Sequence, residues 1–538
     1  MARALSFFSC LVVLVLTACS GGSASPPVPA PVTATEPSDE GLPRPTLRLL
    51  VITDLEGYLE PCGCQRRPLG GIDRLATELT RARADGVPTL FVHSGDLLFD
   101  GLEHGVRGAD ASAQEVWKAE AIVQVFSRLG LAAATAGPLD AQQGVDTLRR
   151  LAATAPFPLL AAGATFGGAS LHAEPVVLEV GGLKIGLFGV SELEAPNGTV
   201  PEGLVATQDV RAAARAEADR LRAAGAELVI GLARATRRSA RAIAMGTPGI
   251  DFLVEGGLAE GDVIVPTRSG DAVLLHAARQ GHGLLIVDLY RRGTGAYTDV
   301  GAWTRTRERA RLAESVTALR ARLTEWEHGG QARADIDSQR ARLADMERER
   351  AALAARPVVR GNAFAARFVE LDPDVPRDPA TRALLDGYNQ RVNEHNRTAF
   401  ADLLPRPAEH GKPHYVGVHA CQGCHGPEYE WWRTTPHGHA YATLTQVHRE
   451  FNLSCVGCHV TGYNQPGGST VTHNTGLVDV GCESCHGPGS AHADDPAVLM
   501  ERVDVPSSVC LGCHTPEHSD HFEYTEYRRQ LIAPGHGQ

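Results

Sequence analysis

Cys421-Gln422-Gly423-Cys424-His425, Cys455-Val456-Gly457-Cys458-His459, Cys482-Glu483-Ser484-Cys485-His486 and Cys510-Leu511-Gly512-Cys513-His514 crowd the last quarter of the chain. Each is a Cys-x-x-Cys-His run, the spacing at which haem is attached covalently. Two thiols separated by two residues reach one porphyrin edge as thioethers, and the adjacent His turns beneath the ring to ligate iron. Paired Cys-x-x-Cys also suits zinc, but zinc does not demand a His after the second Cys every time. Four copies use eight of the twelve cysteines. The reading is four haem c groups, with His425, His459, His486 and His514 as proximal iron ligands.

Outward from the motifs, histidine stays dense. Of 22 His, 15 lie from His410 onward, so eleven remain as second ligands once the four proximal ones are set aside. An iron held by two His transfers electrons and has no place for substrate, whereas a five-coordinate iron binds small molecules. Eleven spare His suffice for four irons, which leans toward a wire. The first cysteines of successive motifs are 34, 27 and 28 residues apart. Tyr415-Val416-Gly417 precedes the first motif and Trp431-Trp432-Arg433-Thr434-Thr435-Pro436-His437-Gly438-His439-Ala440 follows it; the third continues as Gly487-Pro488-Gly489-Ser490-Ala491-His492. This segment resembles the tetrahaem cytochrome family whose best-known member accepts electrons from hydroxylamine oxidoreductase. The resemblance implies closely packed haem pairs, mostly bis-histidine iron, and one haem, unassigned, without a sixth ligand. By motif match His439 and His492 are the first distal candidates, and His419, His437, His473, His518, His521 and His536 follow.

The 538 residues carry a net charge of −12, which argues against a nucleic-acid partner and suits redox protein partners. Arg3, an apolar run from Ala4 to Leu16 and Leu16-Thr17-Ala18-Cys19 read as a signal peptide over 1–18. Its end resembles a bacterial lipobox, which implies lipidation at Cys19. Residues 19–45, rich in Pro, Ser, Ala and Thr, form a disordered tether. The expectation is export and a lipid anchor in a bacterial membrane facing the periplasm. Ser20 lacks the acidic character associated with inner-membrane retention, so by analogy the outer membrane is preferred.

Residues 46–300 alternate apolar strand runs with helical patterns, and Gly181-Gly182 marks a hairpin, which together predict an α/β domain with mixed sheets. Its first strand leads into Asp54-Leu55-Glu56-Gly57, and a later one into Gly95-Asp96. These resemble the calcineurin-like metallophosphatases, in particular the 5′-nucleotidase branch. The resemblance implies an α/β/β/α sandwich with two metals at the strand ends. The chain departs from that pattern, since Glu56 replaces the first His. Gly137-Pro138-Leu139-Asp140 replaces an Asn-His motif, Arg234 takes the middle His, and Gly256-Gly257-Leu258-Ala259 replaces Gly-His-x-His. Asp54, Glu56 and Asp96 remain as a vestigial metal site, too few ligands for two ions. Cys62 and Cys64 beside it form either a disulfide or an exchangeable dithiol.

Residues 303–356 repeat Leu312, Val316, Leu319, Leu323 and then Ile336, Leu343, Met346 around Gly329-Gly330, the pattern of a helical hairpin or short coiled coil. A spacer or a dimerisation arm would use it. Residues 357–410 read as a connector with one helix opened by Asp378-Pro379, and 411–538 as a mainly helical and irregular tetrahaem domain. Three functions follow from this multidomain reading. One is an electron carrier with a docking or thiol-redox module. The second is a haem oxidoreductase for a small nitrogen or sulfur compound. The third is a metal-dependent nucleotidase fused to a cytochrome.

Overall fold

The computed structural model describes residues 39, 41–61, 67–101, 109–172, 174–257, 264–355, 361–515, 518–519 and 522–536. The expectations for the signal peptide, most of the tether, Cys19, the Cys62 and Cys64 pair and His521 lie outside them.

The chain opens with β1 (Leu47–Thr53), α1 (Ile72–Arg83), β2 (Thr89–Ser94), α2 (Ala109–Arg128), β3 (Leu131–Thr135), α3 (Val145–Thr154) and β4 (Leu159–Leu160). After β5 (Ala164–Phe166) come β6 (Val176–Val180), β7 (Leu183–Ser191), β8 (Leu204–Ala206), α4 (Val210–Ala223) and β9 (Leu228–Arg234). Then follow α5 (Arg237–Gly246), β10 (Phe252–Gly256), β11 (Thr267–Ser269), β12 (Ala272–Leu275), β13 (Gly283–Tyr290) and β14 (Thr298–Asp299). A helical pair, α6 (Ala302–Gly329) and α7 (Arg333–Ala352), precedes β15 (Ala363–Glu370) and α8 (Pro379–Ala399).

Two sheets stack. One has the order β14-β15-β13-β1-β2-β3-β4 and the other β11-β12-β10-β9-β7-β6. Strand β1 shows why its sequence is apolar throughout. Leu47, Leu49 and Val51 point into the core between the sheets, while Leu50 and Ile52 point into the core under α1 and α2. With both faces covered, a strand has no polar side to show. Its one charge, Arg48, is answered across the ladder by Asp288 of β13 at 2.6 Å. Helices α4 and α5 cover the second sheet's outer face through Ala214, Leu221 and Ile243. The result is an α/β/β/α sandwich.

The sandwich does not end near residue 300. Strand β15 pairs along all of β13, from Gly283↔Glu370 to Tyr290↔Ala363. Helix α8 joins the outer layer, placing Leu385, Tyr388 and Val392 in the core of the first sheet. The segment read as a connector therefore supplies a strand and a helix. Ala363-Phe364-Ala365-Ala366-Arg367 has little strand propensity of its own; the open edge of β13 makes it one. The expected start of α8 is present, with the Asp378 carboxylate accepting from Thr381 N at 2.8 Å. The hairpin of α6 and α7 closes on Leu319, Leu323 and Ile336, with Gly330 in the left-handed conformation at the turn (φ 75°). Beyond α8 the chain is made of short helices and turns.

Candidate functional site

The four Cys-x-x-Cys-His runs fold as single tight turns. In the first and fourth, the His backbone N–H donates to the carbonyl of the first Cys at 2.9 Å, from His425 to Cys421 and from His514 to Cys510. That is one turn of helix, and it puts residues i, i+3 and i+4 on one side. The second run is tighter, with His459 N donating to Val456 O at 3.0 Å. In the third, Glu483 is 1 % exposed and its carboxylate accepts from Val416 N, Gly417 N and Gly489 N at 2.7–3.1 Å. Sequence reasoning passed over Glu483. An acid between two haem cysteines is its only trace in the sequence.

Imidazole rings approach one another in three pairs. The His425 and His492 ring centres are 6.1 Å apart, those of His437 and His514 6.2 Å, and those of His486 and His536 5.9 Å. Two imidazoles on opposite sides of one iron, each bonded at about 2 Å, put their centres roughly 6 Å apart. Each pair joins one motif His to one His from elsewhere. Of the two first distal candidates, His492 lies at such a distance from a motif His, whereas His437, not its neighbour His439, lies at one from His514. His536, a later candidate, faces His486. His419 approaches the Tyr429 hydroxyl at 3.3 Å, and His473 lies 3.1 Å from the Thr472 hydroxyl. His518 lies along the cavity described below. Among the described residues no ring pairs with that of His459.

The tautomers suit the same chemistry. His459 Nδ1 lies 2.5 Å from Ala440 O, His486 Nδ1 2.7 Å from Arg502 O, and His492 Nδ1 2.7 Å from Val498 O. A carbonyl can only accept, so Nδ1 carries the proton and Nε2 keeps its lone pair for a metal. Burial, with His514 and His459 nearby, pushes His437 down to about 4, so it too is neutral. A cavity of about 1110 Å³ runs between the motifs, lined by Cys458, Cys513, Val460, Glu483, His492 and His518. Thiols, paired imidazoles and the cavity fit haem c. A bound haem would supply a one-electron centre at each motif.

The second cluster lies at the strand ends of the sandwich. Asp54 and Asp96 follow β1 and β2, Arg234 ends β9, and Gly257 follows β10. Asp54 and Glu56 both hold left-handed backbone (φ 49° and 51°), which costs energy in a non-glycine residue. The loops meet so closely that a Cβ on Gly95 would sit 2.0 Å from Asp54 Oδ1. Arg279 grips both oxygens of Glu56 at 2.8 and 2.7 Å, and Arg234 Nε donates to Asp96 Oδ2 at 3.1 Å. Asp140 accepts from Leu97 N, Leu98 N and Gly137 N at 2.7–3.0 Å. Asp54 Oδ1 accepts from Gly257 N at 2.6 Å, and its Oδ2 is buried without a partner. Burial, reinforced by Glu56, raises Asp54 well above the usual carboxylate range. Burial also raises Glu56, opposed by Arg279. The acids expected as a vestigial site do converge, joined by Asp140, but guanidinium and amide groups already hold most of their oxygens. Among the described residues no set of three or more His, Cys, Asp or Glu is arranged to hold a metal ion. A dinuclear metal centre does not fit this set.

Residues 420–487 match the family model described as cytochrome c554 and c-prime. The cytochrome c-554 of Nitrosomonas europaea is 36 % identical over 91 residues, a match covering 14 % of this chain and 39 % of that protein. The chain thus spans about two fifths of that curated relative. The c554-like segment implies covalently bound haem c, and the α/β/β/α sandwich precedes it in the chain. Among solved structures, a 5′-nucleotidase precursor from Thermus thermophilus is similar at 17 % identity and a TM-score of 0.43, over 68 % of this chain and 61 % of that one. A calcineurin-like phosphoesterase from Bacillus subtilis is similar at 20 % identity and a TM-score of 0.38, over 46 % of this chain and 86 % of that one.

Proposed function

We propose that this chain is an exported, lipid-anchored tetrahaem electron-transfer protein. Three imidazole pairs, each with ring centres about 6 Å apart and each built on a Cys-x-x-Cys-His motif, carry the reading. An iron between two protein imidazoles has no vacant position, so the work of such a site is to take and pass on an electron. The protein holds the His459, His486 and His492 rings in place through Nδ1, which limits movement when the charge on iron changes. The sandwich serves as a docking or thiol-redox module, because Arg234 and Arg279 occupy the acids a hydrolytic metal pair would need. Cys62 and Cys64 would supply the thiol chemistry. Redox proteins are the partners, and the lipid at Cys19 ties the chain to a membrane.

A second reading rests on His459, whose ring has no imidazole opposite it among the described residues. If that iron is five-coordinate, it would bind a small nitrogen or sulfur compound. Low-temperature EPR of the oxidised, matured protein, with haem counted on the same sample, separates the two. Four haems giving only low-spin signals support the carrier. A high-spin signal near one quarter of the haem, altered by nitrite, hydroxylamine or sulfite, supports the oxidoreductase. Fewer than four covalent haems would sink both. Stoichiometric zinc, manganese or iron outside haem, with hydrolysis of nucleotides, would instead revive the hydrolase.

A further inference from the structure

We infer that the sandwich completes the seat of the second haem motif, and that Gln114 on α2 is a positioning residue for that haem. The inference rests on the reading that Cys455 and Cys458 carry haem.

Gln114 is 1 % exposed and uses both ends of its amide. Its Nε2 donates to Asn452 Oδ1 at 3.2 Å and to Ser454 Oγ at 3.3 Å. Its Oε1 accepts from Leu453 N and from Asn396 Nδ2, both at 3.0 Å. Asn396 belongs to α8 and also donates to Phe451 O at 2.9 Å. The turn held in this way delivers the motif, since Asn452 O accepts from Cys455 N at 3.0 Å and from Val456 N at 2.9 Å. Two helices of the sandwich therefore grip the backbone immediately before the first haem thiol.

Packing says the same. Val456, between the two cysteines, is 0 % exposed and packs in one cluster with Phe400 at the end of α8, Leu453, Val460 and Val471, against which Ala111 of α2 rests. Leu511 holds the same position in the fourth motif and is 50 % exposed. The third motif is instead held through Glu483 by Val416, Gly417 and Gly489 of the cytochrome segment itself. The second motif also lines the 1110 Å³ cavity through Gly457 and Cys458, beside Leu453 and Ser454. The second motif lies between the sandwich and the cavity, so α2 and α8 would help to position a haem held there. Arg449, a little before Cys455 in the chain, adds an ion pair to Glu60 in the loop after β1 and a bond to Asn389 of α8 at 3.2 Å.

The test uses the full haem-loaded chain, a redox titration and EPR. Gln114→Leu leaves Leu453 N and Asn452 Oδ1 without this partner. It should move one haem step and one EPR signal while the others stay. Gln114→Glu keeps the oxygen that accepts from Leu453 and Asn396, and should return that signal toward wild type. His459→Met, which exchanges the motif ligand of that one iron, displaces the step of its own haem and so identifies which step belongs to the second motif. If Gln114→Leu yields no folded protein, Asn396→Ala removes the bonds donated to Gln114 Oε1 and to Phe451 O, and should move the same step. Unchanged steps and signals, four steps moving together, or movement of a step other than the one marked by His459→Met would overturn the inference. Absence of haem from Cys455 and Cys458 in the wild type would be a failure of the functional reading, seen directly by mass.

Discussion

Arg234 stands at the end of β9 with its side chain 9 % exposed, against an Asp96 side chain that is 3 % exposed. Removing one partner of such a pair leaves a buried charge alone, at about 3–5 kcal/mol. Arg234→Met should lower unfolding stability by that amount in urea titrations. Arg279→Ala should cost less, because the Arg279 side chain is 30 % exposed and water replaces part of the contact. Asp140 offers a test by pH. Burial, then the neighbouring Asp96 charge, holds it up at about 7 in the folded chain, against about 3.9 when unfolded. Between those values the folded protein keeps a proton that the unfolded chain has released, so this group's contribution to stability falls as pH rises from about 4 to 7 and is level above. Asp140→Asn should flatten that part of the stability curve, as read by unfolding at about pH 4.5 and about pH 7.5. Motif residues were legible one by one because covalent chemistry fixes their spacing. Which other histidines meet the motif histidines was not. Whether His437 or His439 meets His514 depends on which way a short turn faces, and both residues fit every local pattern.

At the scale of elements, strands buried on both faces were legible from apolar runs alone, as in β1, β7, β9 and β13. Helix α8 announced its start through Asp378-Pro379, but not that it would lie on α1 and α2. Strand β15 had no signal, since Ala and Arg show their strand role only once β13 offers an unpaired edge. The hairpin gives a contrast between two kinds of contact. Leu323, 6 % exposed, fills the seam between α6 and α7, whereas Arg340 reaches Glu327 at 2.6 Å on the solvent side. Leu323→Ala should destabilise the hairpin by about 2 kcal/mol or more. Arg340→Ala should leave it nearly unchanged, because water already screens that exposed pair. Limited proteolysis within 302–352 checks both, and the haem spectrum should be unaffected in either variant.

The whole molecule joins two parts that look separable in the sequence. Leu453, Val456, Val460 and Val471 form one buried cluster with Phe400, which ends α8. A fragment of residues 411–538 loses Phe400, Gln114 and Asn396 together. Matured alone, it should show an altered EPR signal for a haem at the second motif and unaltered signals for any other haem, compared with the full chain. Identical spectra would mean that the cytochrome segment builds its haem sites by itself.

What is covalent and what is periodic could be read from the residues alone. The spacing of the Cys-x-x-Cys-His runs, the doubly covered strands and the hairpin all follow from contacts within a few residues or from simple repeats. Three-dimensional packing was needed to establish which distant histidines face each other, that Arg234 and Arg279 neutralise the acids at the strand ends, and that α2 and α8 hold the second motif. Those outcomes rest on groups far apart in the chain, whose meeting depends on how two sheets and their helices pack, and no local pattern encodes that.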